Sequence, residues 1–211
     1  MPRMPAALLA HLRSSESIVY PTSSLPGLGC LPTSPALDRL FALKQRPHDK
    51  EVSLGVASLD QAAQLVRIPD EVPELLDAFA LGSLTLVLPA LTPLDPRLGG
   101  DSVAVRVFAN AEARTLADAV GPVTATSANL AGVPPELTCA AAAEALGLPS
   151  SLVMEGACGE GIPSTILRWN GTSQARSLVL LPHVSALPRL HLTALALVQV
   201  WPTRMLPYDG A

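Results

Sequence analysis

Aromatic residues are scarce, at 3 % of 211 residues, so the core cannot be built around rings and must rest on leucine, valine and alanine. Charge is sparse too, at 15 % against about 25 % in ordinary soluble domains. The net charge of −4 argues against broad electrostatic capture of nucleic acid, although a small local basic cluster is compatible with it. There are three cysteines, Cys30, Cys139 and Cys158, with no CxxC and no His/Cys spacing of a zinc site. An odd, scattered set fits reduced thiols in the cytoplasm, not a disulfide framework. His11 and Arg13 interrupt the apolar start, so no signal-peptide core is expected. The apolar stretch 192–201 is far short of the ~20 residues that span a bilayer. No GxGxxG, Walker A loop, catalytic triad, metal motif or internal repeat is present.

What is there is apolar: 49 % of the residues are hydrophobic, enough for one large domain, with 21 prolines spread along it as turn markers. Periodicity predicts helices over 6–13, 34–43, 58–65, 72–80, 111–120 and 139–146. It predicts strands over 17–20, 52–57, 83–88, 102–108, 151–154, 164–167 and 178–181, and a further one starting at Val123. The apolar segment 185–201 reads as a terminal helix or strand. Helices and strands mix without a strict βαβ rhythm, which predicts an α/β fold of the α+β or mixed-sheet kind. Residues 1–190 form the expected domain, and 191–211 a C-terminal extension.

Three polar stretches stand out against this bland background. GPVTATSANLAG, residues 121–132, reads as a short strand ending in Ser127 and Asn129 before Gly132 breaks the chain. It is either a ligand-facing strand end or an ordinary polar turn capping the next helix. PTSSLPGLGC, residues 21–30, is a hydroxyl- and glycine-rich loop that allows close backbone approach, or simply a turn. KQRPHDK, residues 44–50, is either a solvated charged loop or a phosphate binder; an extended chain there would put Lys44 and Arg46 on one side. Arg106 is a lone cation among the valines of SVAVRVF, either an edge residue facing water or a buried anion binder.

Six segments in order, over about residues 17–168, resemble one family. IVYPTSSLPGLGC, LKQRPHDK, GSLTLVL, VAVRV, TATSANLAG and GIPSTIL are similar to the signature segments of the YrdC/YwlC threonylcarbamoyl-AMP synthases. The resemblance implies a twisted mixed sheet flanked by helices, with a large open cavity on one face. It implies a synthase that joins L-threonine, bicarbonate and ATP, with Mg²⁺, and releases pyrophosphate. The product, threonylcarbamoyl-adenylate, feeds the N6-threonylcarbamoyladenosine modification of tRNA. Some members bind double-stranded RNA, and partner proteins of tRNA modification are implied as well. By this resemblance Lys44 and Arg46 face the triphosphate and are the catalytic pair. Thr85, Ser127 and Asn129 bind the nucleotide; Thr22 and Ser164 contact threonine, and Arg106 its carboxylate. No protein-held metal site is implied by the residues.

The chain departs from that pattern inside the expected site. Ser23, Ser24 and Pro26 stand where the usual opening, YPTDTVYGLGC, has Asp, Thr and Tyr. Glu51 takes a proline's place after Lys50, and Leu81-Gly82-Ser83 replaces PGP. The usual C-terminal R-P-G is replaced around Leu181-Pro182-His183, with Arg176 upstream as a substitute. A non-catalytic nucleotide- or RNA-binding paralogue on the same fold is the alternative these changes imply.

Overall fold

A computed structural model describes residues 4–159, 164–172, 175–180 and 198–199. Among these residues nine strands form one mixed sheet, in the order β1 (Ile18–Tyr20), β2 (Gly27–Gly29), β6 (Val123–Ser127), β3 (Ser53–Val56), β5 (Ser102–Val107), β4 (Leu84–Pro89), β7 (Thr165–Thr172), β8 (Ala175–Leu180), β9 (Val198–Gln199). The pairs β3–β5, β4–β7 and β8–β9 are parallel and the others antiparallel. The helices are α1 (Ala6–Arg13), α2 (Ser34–Lys44), α3 (Leu59–Ala62), α4 (Val72–Asp77), α5 (Ala111–Val120) and α6 (Cys139–Ala145).

The central strands have two different faces, as their alternation requires. Leu54 and Val56 of β3, Leu84, Leu86 and Leu88 of β4, and Val103 and Val105 of β5 share one cluster with Leu37, Leu40 and Phe41 of α2. Their neighbours in sequence, Ser53, Thr85 and Arg106, line a cavity. A second cluster joins Leu8 and Leu12 of α1 to Leu116 of α5, Tyr20, Phe108 and Val123. With so few rings available, the two in that cluster are placed edge to face, 5.6 Å between centroids.

Those rings explain three glycines. A Cβ on Gly27 or Gly29 would fall 2.6 Å or 2.8 Å from the Tyr20 ring, and one on Gly55 would fall 1.8 Å from Cζ of Phe108. Glycine makes room for each ring to lie flat on the strand. Gly55→Ala is therefore expected to lower the unfolding free energy by about 1–3 kcal/mol through overpacking. Urea denaturation measures it, and an unchanged midpoint would contradict the packing.

The expected loop over 21–30 is corrected by the same feature. Residues Gly27–Gly29 are a buried strand, because the glycines let β2 pair with both β1 and β6 across the Tyr20 ring. Residues 151–154 do not form a strand: Ser150–Leu152 is a 3₁₀ turn, and Val153 makes a single bridge to Val19. The helix expected over 58–65 is only Leu59–Ala62, since Val66 leaves it to bridge Ala90. The strand expected over 164–167 is longer, Thr165–Thr172. The segment 185–201 lies outside the described residues except for β9, as does most of the extension 191–211. His183 and the side chain of Arg176 are outside them too.

Arg97 fastens α2 to the 3₁₀ turn at Pro96–Leu98. Its Nε and Nη2 donate to Asp95 at 2.9 Å and 2.7 Å, its Nη1 donates to Asp38, and it sits 5.7 Å over the Phe41 ring. Hydrogen bonds from Arg97 hold the Asp95 carboxyl down to about 2, against an ordinary 3.8. A depressed carboxyl stabilises the fold above its unfolded pKa and loses that contribution as pH falls through the folded one. Acid unfolding should steepen between about pH 4 and pH 2. Asp95→Asn should flatten that limb, as read by circular dichroism against pH.

Candidate functional site

The cavity has a volume of about 450 Å³, and its floor is the sheet itself. Gly27 of β2, Ser53 of β3, Thr85 of β4, Arg106 of β5, Ala125 and Ser127 of β6 and Ile166 of β7 all face it. Thr22, Ser24 and Leu25 form one wall, and Arg46 another. Six of the residues expected at a site are therefore on one surface: Thr22, Arg46, Thr85, Arg106, Ser127 and Ser164.

Two guanidiniums dominate the charge. Arg106 Nε donates to Gly82 O at 2.8 Å, Nη1 to Ser24 Oγ at 3.3 Å and Nη2 to Ser23 Oγ at 3.1 Å. Arg46 donates through Nε to Lys50 O and through Nη2 to Glu51 O, both at 2.7 Å. All of these acceptors are neutral. The ion pairs among the described residues involve His11 and Arg97, so neither cavity arginine has a carboxylate partner there. Burial pulls both guanidiniums below their ordinary pKa. A cation held by neutral dipoles in a partly desolvated pocket is best satisfied by an anion that arrives. The structure places Arg106 on an interior strand against the cavity, not at a sheet edge.

The hydroxyls are preset. Thr85 Oγ1 and Ser164 Oγ share a hydrogen bond of 2.8 Å across β4 and the start of β7. Thr22 Oγ1 donates to Leu25 O at 2.6 Å and accepts from Ser24 N at 3.1 Å, which curls residues 22–25 into a tight turn.

Lys44 and Asn129 do not line the cavity. Lys44 ends α2, and Gln45 then turns left-handed at φ 50°, so the chain is not extended between Lys44 and Arg46. The two side chains take different hydrogen-bond partners. Lys44 is 2 % exposed, and its Nζ donates to Ser127 O at 2.5 Å and Asn129 O at 2.6 Å, with Asn129 Oδ1 at 3.4 Å. Burial, with Arg46 adding repulsion, brings its pKa down to about 8. The Asn129 amide accepts from Ser127 Oγ at 2.5 Å and donates to Leu130 O and Val133 O. Lys44 and Asn129 thus shape the strand end that carries Ser127. Ser53 and Phe108 were not anticipated as site residues. Ser53 could have been found as the polar residue before the buried Leu54 of a strand, as Arg106 was.

A sheet face lined with hydroxyls thus carries two arginines that have no carboxylate partner among the described residues. The Sua5/YciO/YrdC family profile, described as telomere recombination, matches residues 10–178. The chain belongs to this family. A threonylcarbamoyl-AMP synthase of Photobacterium profundum is 35 % identical over 159 residues, covering 72 % of this chain and 86 % of its own. One of Klebsiella pneumoniae is 39 % identical over 168 residues, covering 74 % and 87 %. The structure of P. abyssi Sua5 complexed with L-threonine superposes with a TM-score of 0.72 at 29 % identity over 85 % of this chain. This chain spans 54 % of that protein's length. No helix among the described residues is long and apolar enough to cross a membrane.

Proposed function

We propose that the protein is an L-threonylcarbamoyladenylate synthase for tRNA N6-threonylcarbamoyladenosine formation. The observation that carries this is the pair Arg46 and Arg106, set on one hydroxyl-floored cavity with no carboxylate partner for either among the described residues. The likeness to synthases over most of their length, and to a threonine-bound relative, supports the choice of substrates.

The threonine amine takes up bicarbonate with loss of water to form a carbamate. A carbamate oxygen then attacks the α-phosphorus of ATP, and pyrophosphate leaves. This reading assigns Arg46 to the phosphates and Arg106 to the threonine carboxylate. Thr22 and Ser164 go to the amino-acid end, and Thr85 and Ser127 to the nucleotide. No acid–base group is needed at the reacting atoms, because a loose phosphoryl transition state is helped mainly by fixed cations, donors and alignment. Lys44 and Asn129 act by holding Ser127.

The described residues contain no group of three or more acidic, histidine or cysteine side chains able to hold a metal. The cavity lining offers hydroxyl oxygens and no carboxylate among the described residues, so Mg²⁺ would arrive on the triphosphate and be held by its oxygens and water. When bound, the ion neutralises phosphate charge. The cytoplasm, where tRNA is modified, is the compartment this reading assigns. The adenylate is a reactive mixed anhydride, so its consumer must be a threonylcarbamoyl transferase acting on tRNA, and a docked partner protein is part of this reading.

Purified protein should release pyrophosphate from ATP only when threonine and bicarbonate are both present. Absence of this release under conditions where a standard synthase turns over would overturn the reading. Tight ATP binding or RNA binding without turnover would identify a non-catalytic relative, and steep salt dependence would mark the RNA version.

A further inference from the structure

Two thiols that the synthase chemistry does not use face each other beside the cavity. Cys139 opens α6 and Cys158 lies in the loop after Met154, and their sulfurs are 3.7 Å apart. A disulfide needs a sulfur separation of about 2.05 Å, so closing the bond requires the sulfurs to approach further through side-chain rotation and a shift of the loop. The two differ in access: Cys139 is buried and Cys158 is half-buried. Burial, with the neighbouring Cys158 thiol, pushes Cys139 up to about 12. The third thiol, Cys30, is fully buried, touches Thr124, and stands apart from this pair.

The loop that carries Cys158 is clipped to the cavity wall. Gly159 N donates to Thr22 O at 3.1 Å, and a Cβ on Gly159 would fall 2.0 Å from Ser23 O. A Cβ on Gly156 would fall 2.6 Å from Cγ of Pro21. Ala157 O accepts from Asn110 Nδ2 at 3.2 Å. Residues 155–159 therefore rest on the Pro21–Ser24 turn, whose serines hold Arg106.

We propose that Cys139 and Cys158 are a redox pair, oxidised by a peroxide to an intrachain disulfide that locks the 155–159 loop onto the Thr22–Ser24 wall. The accessible Cys158 sulfur, as thiolate, attacks one peroxide oxygen; the O–O bond breaks, giving a sulfenic acid and water. The Cys139 sulfur then attacks the sulfenic sulfur, gives up its proton, and a second water leaves. Two thiols lose two electrons and one peroxide gains them. A thiol reductant reverses the bond. The link ties α6 to a loop 19 residues away along the chain, so it removes openings in which the loop parts from Thr22.

The full-length chain is treated with hydrogen peroxide, denatured, alkylated with iodoacetamide and weighed. One alkylation, on Cys30, is expected in place of three, with a linked peptide joining 139 to 158 and full reversal by dithiothreitol. Cys158→Ser should keep both remaining thiols alkylatable. Cys139→Ala should leave Cys158 as a sulfenic acid trapped by dimedone. Three alkylations after oxidation, or a link through Cys30, would overturn the pair. In the oxidised protein the Gly159 amide should exchange hydrogen at least about threefold more slowly. Equal exchange in both forms would overturn the lock. Neither readout depends on synthase activity, so failure of pyrophosphate release leaves both outcomes decisive.

Discussion

Arg106→Lys lowers threonine- and bicarbonate-dependent pyrophosphate release by about 10²-fold or more, in line with loss of a preorganised donor at developing or bound charge. The side chain sits on a central strand, so its Cα cannot move to compensate. Three of its nitrogens are spread over Gly82, Ser23 and Ser24, which fixes the plane of the guanidinium. Lysine keeps the charge but loses the fork that meets a carboxylate with two parallel bonds. The fall should come chiefly through a raised KM for threonine, with KM for ATP little changed. Arg46→Lys should show the reverse split. Equal effects on both substrates in both variants would break the assignment of one arginine to each end. Among the described residues Arg106 is bound to neutral acceptors only, so the fold should tolerate the change, with a melting temperature within a few degrees of wild type.

Lys44→Met should do the opposite and damage the fold together with the activity. Removing the ammonium leaves the Ser127 and Asn129 carbonyls without their donor inside the protein. At about 1–3 kcal/mol for each unsatisfied buried group, less the relief of no longer burying a charge, the net loss is about 2–4 kcal/mol. For a domain of this size each kcal/mol lowers the melting temperature by about 2–4 °C, so a fall of roughly 5–15 °C is expected. Ala131 N also bonds to Lys44 O, so the backbone clasp survives and the chain still folds. Pyrophosphate release, measured well below the new midpoint, should fall at least about tenfold because Ser127 is no longer held. A Lys44→Met protein as stable as wild type but inactive would instead place the ammonium on the ligand.

Much of this was legible in the sequence, for identifiable reasons. Helices α1 and α5 fall at their expected bounds because apolar spacing and flanking turn residues agree. Arg106 could be singled out because alternation puts one charge among valines, and the structure gives it a cavity. The glycines of β2 misled because glycine usually signals a turn. Here it signals a ring on the adjoining strand, which is a long-range fact. Lys44 and Arg46 were paired by spacing, yet a single left-handed residue, Gln45, decides their directions, and local pattern carries no sign of it. The four residues of 151–154 look like a strand, but bridging needs a free neighbour edge, and Val19 offers one pair only.

The floor of the cavity is a ruled surface. Its groups are fixed to a lattice whose lateral step is one strand, about 4.8 Å. Arg106 pairs with Gly55 on β3, and β3 pairs in turn with β6, the strand that bears Ser127. Arginine and serine are thus at least two strand steps apart, about 10 Å before any displacement along the strands is added. If, as proposed, the arginine takes the amino-acid carboxylate and the serine the nucleotide, the ligand must bridge both strand steps, and an amino acid lengthened through a carbamoyl group to a nucleotide is the species built to do so.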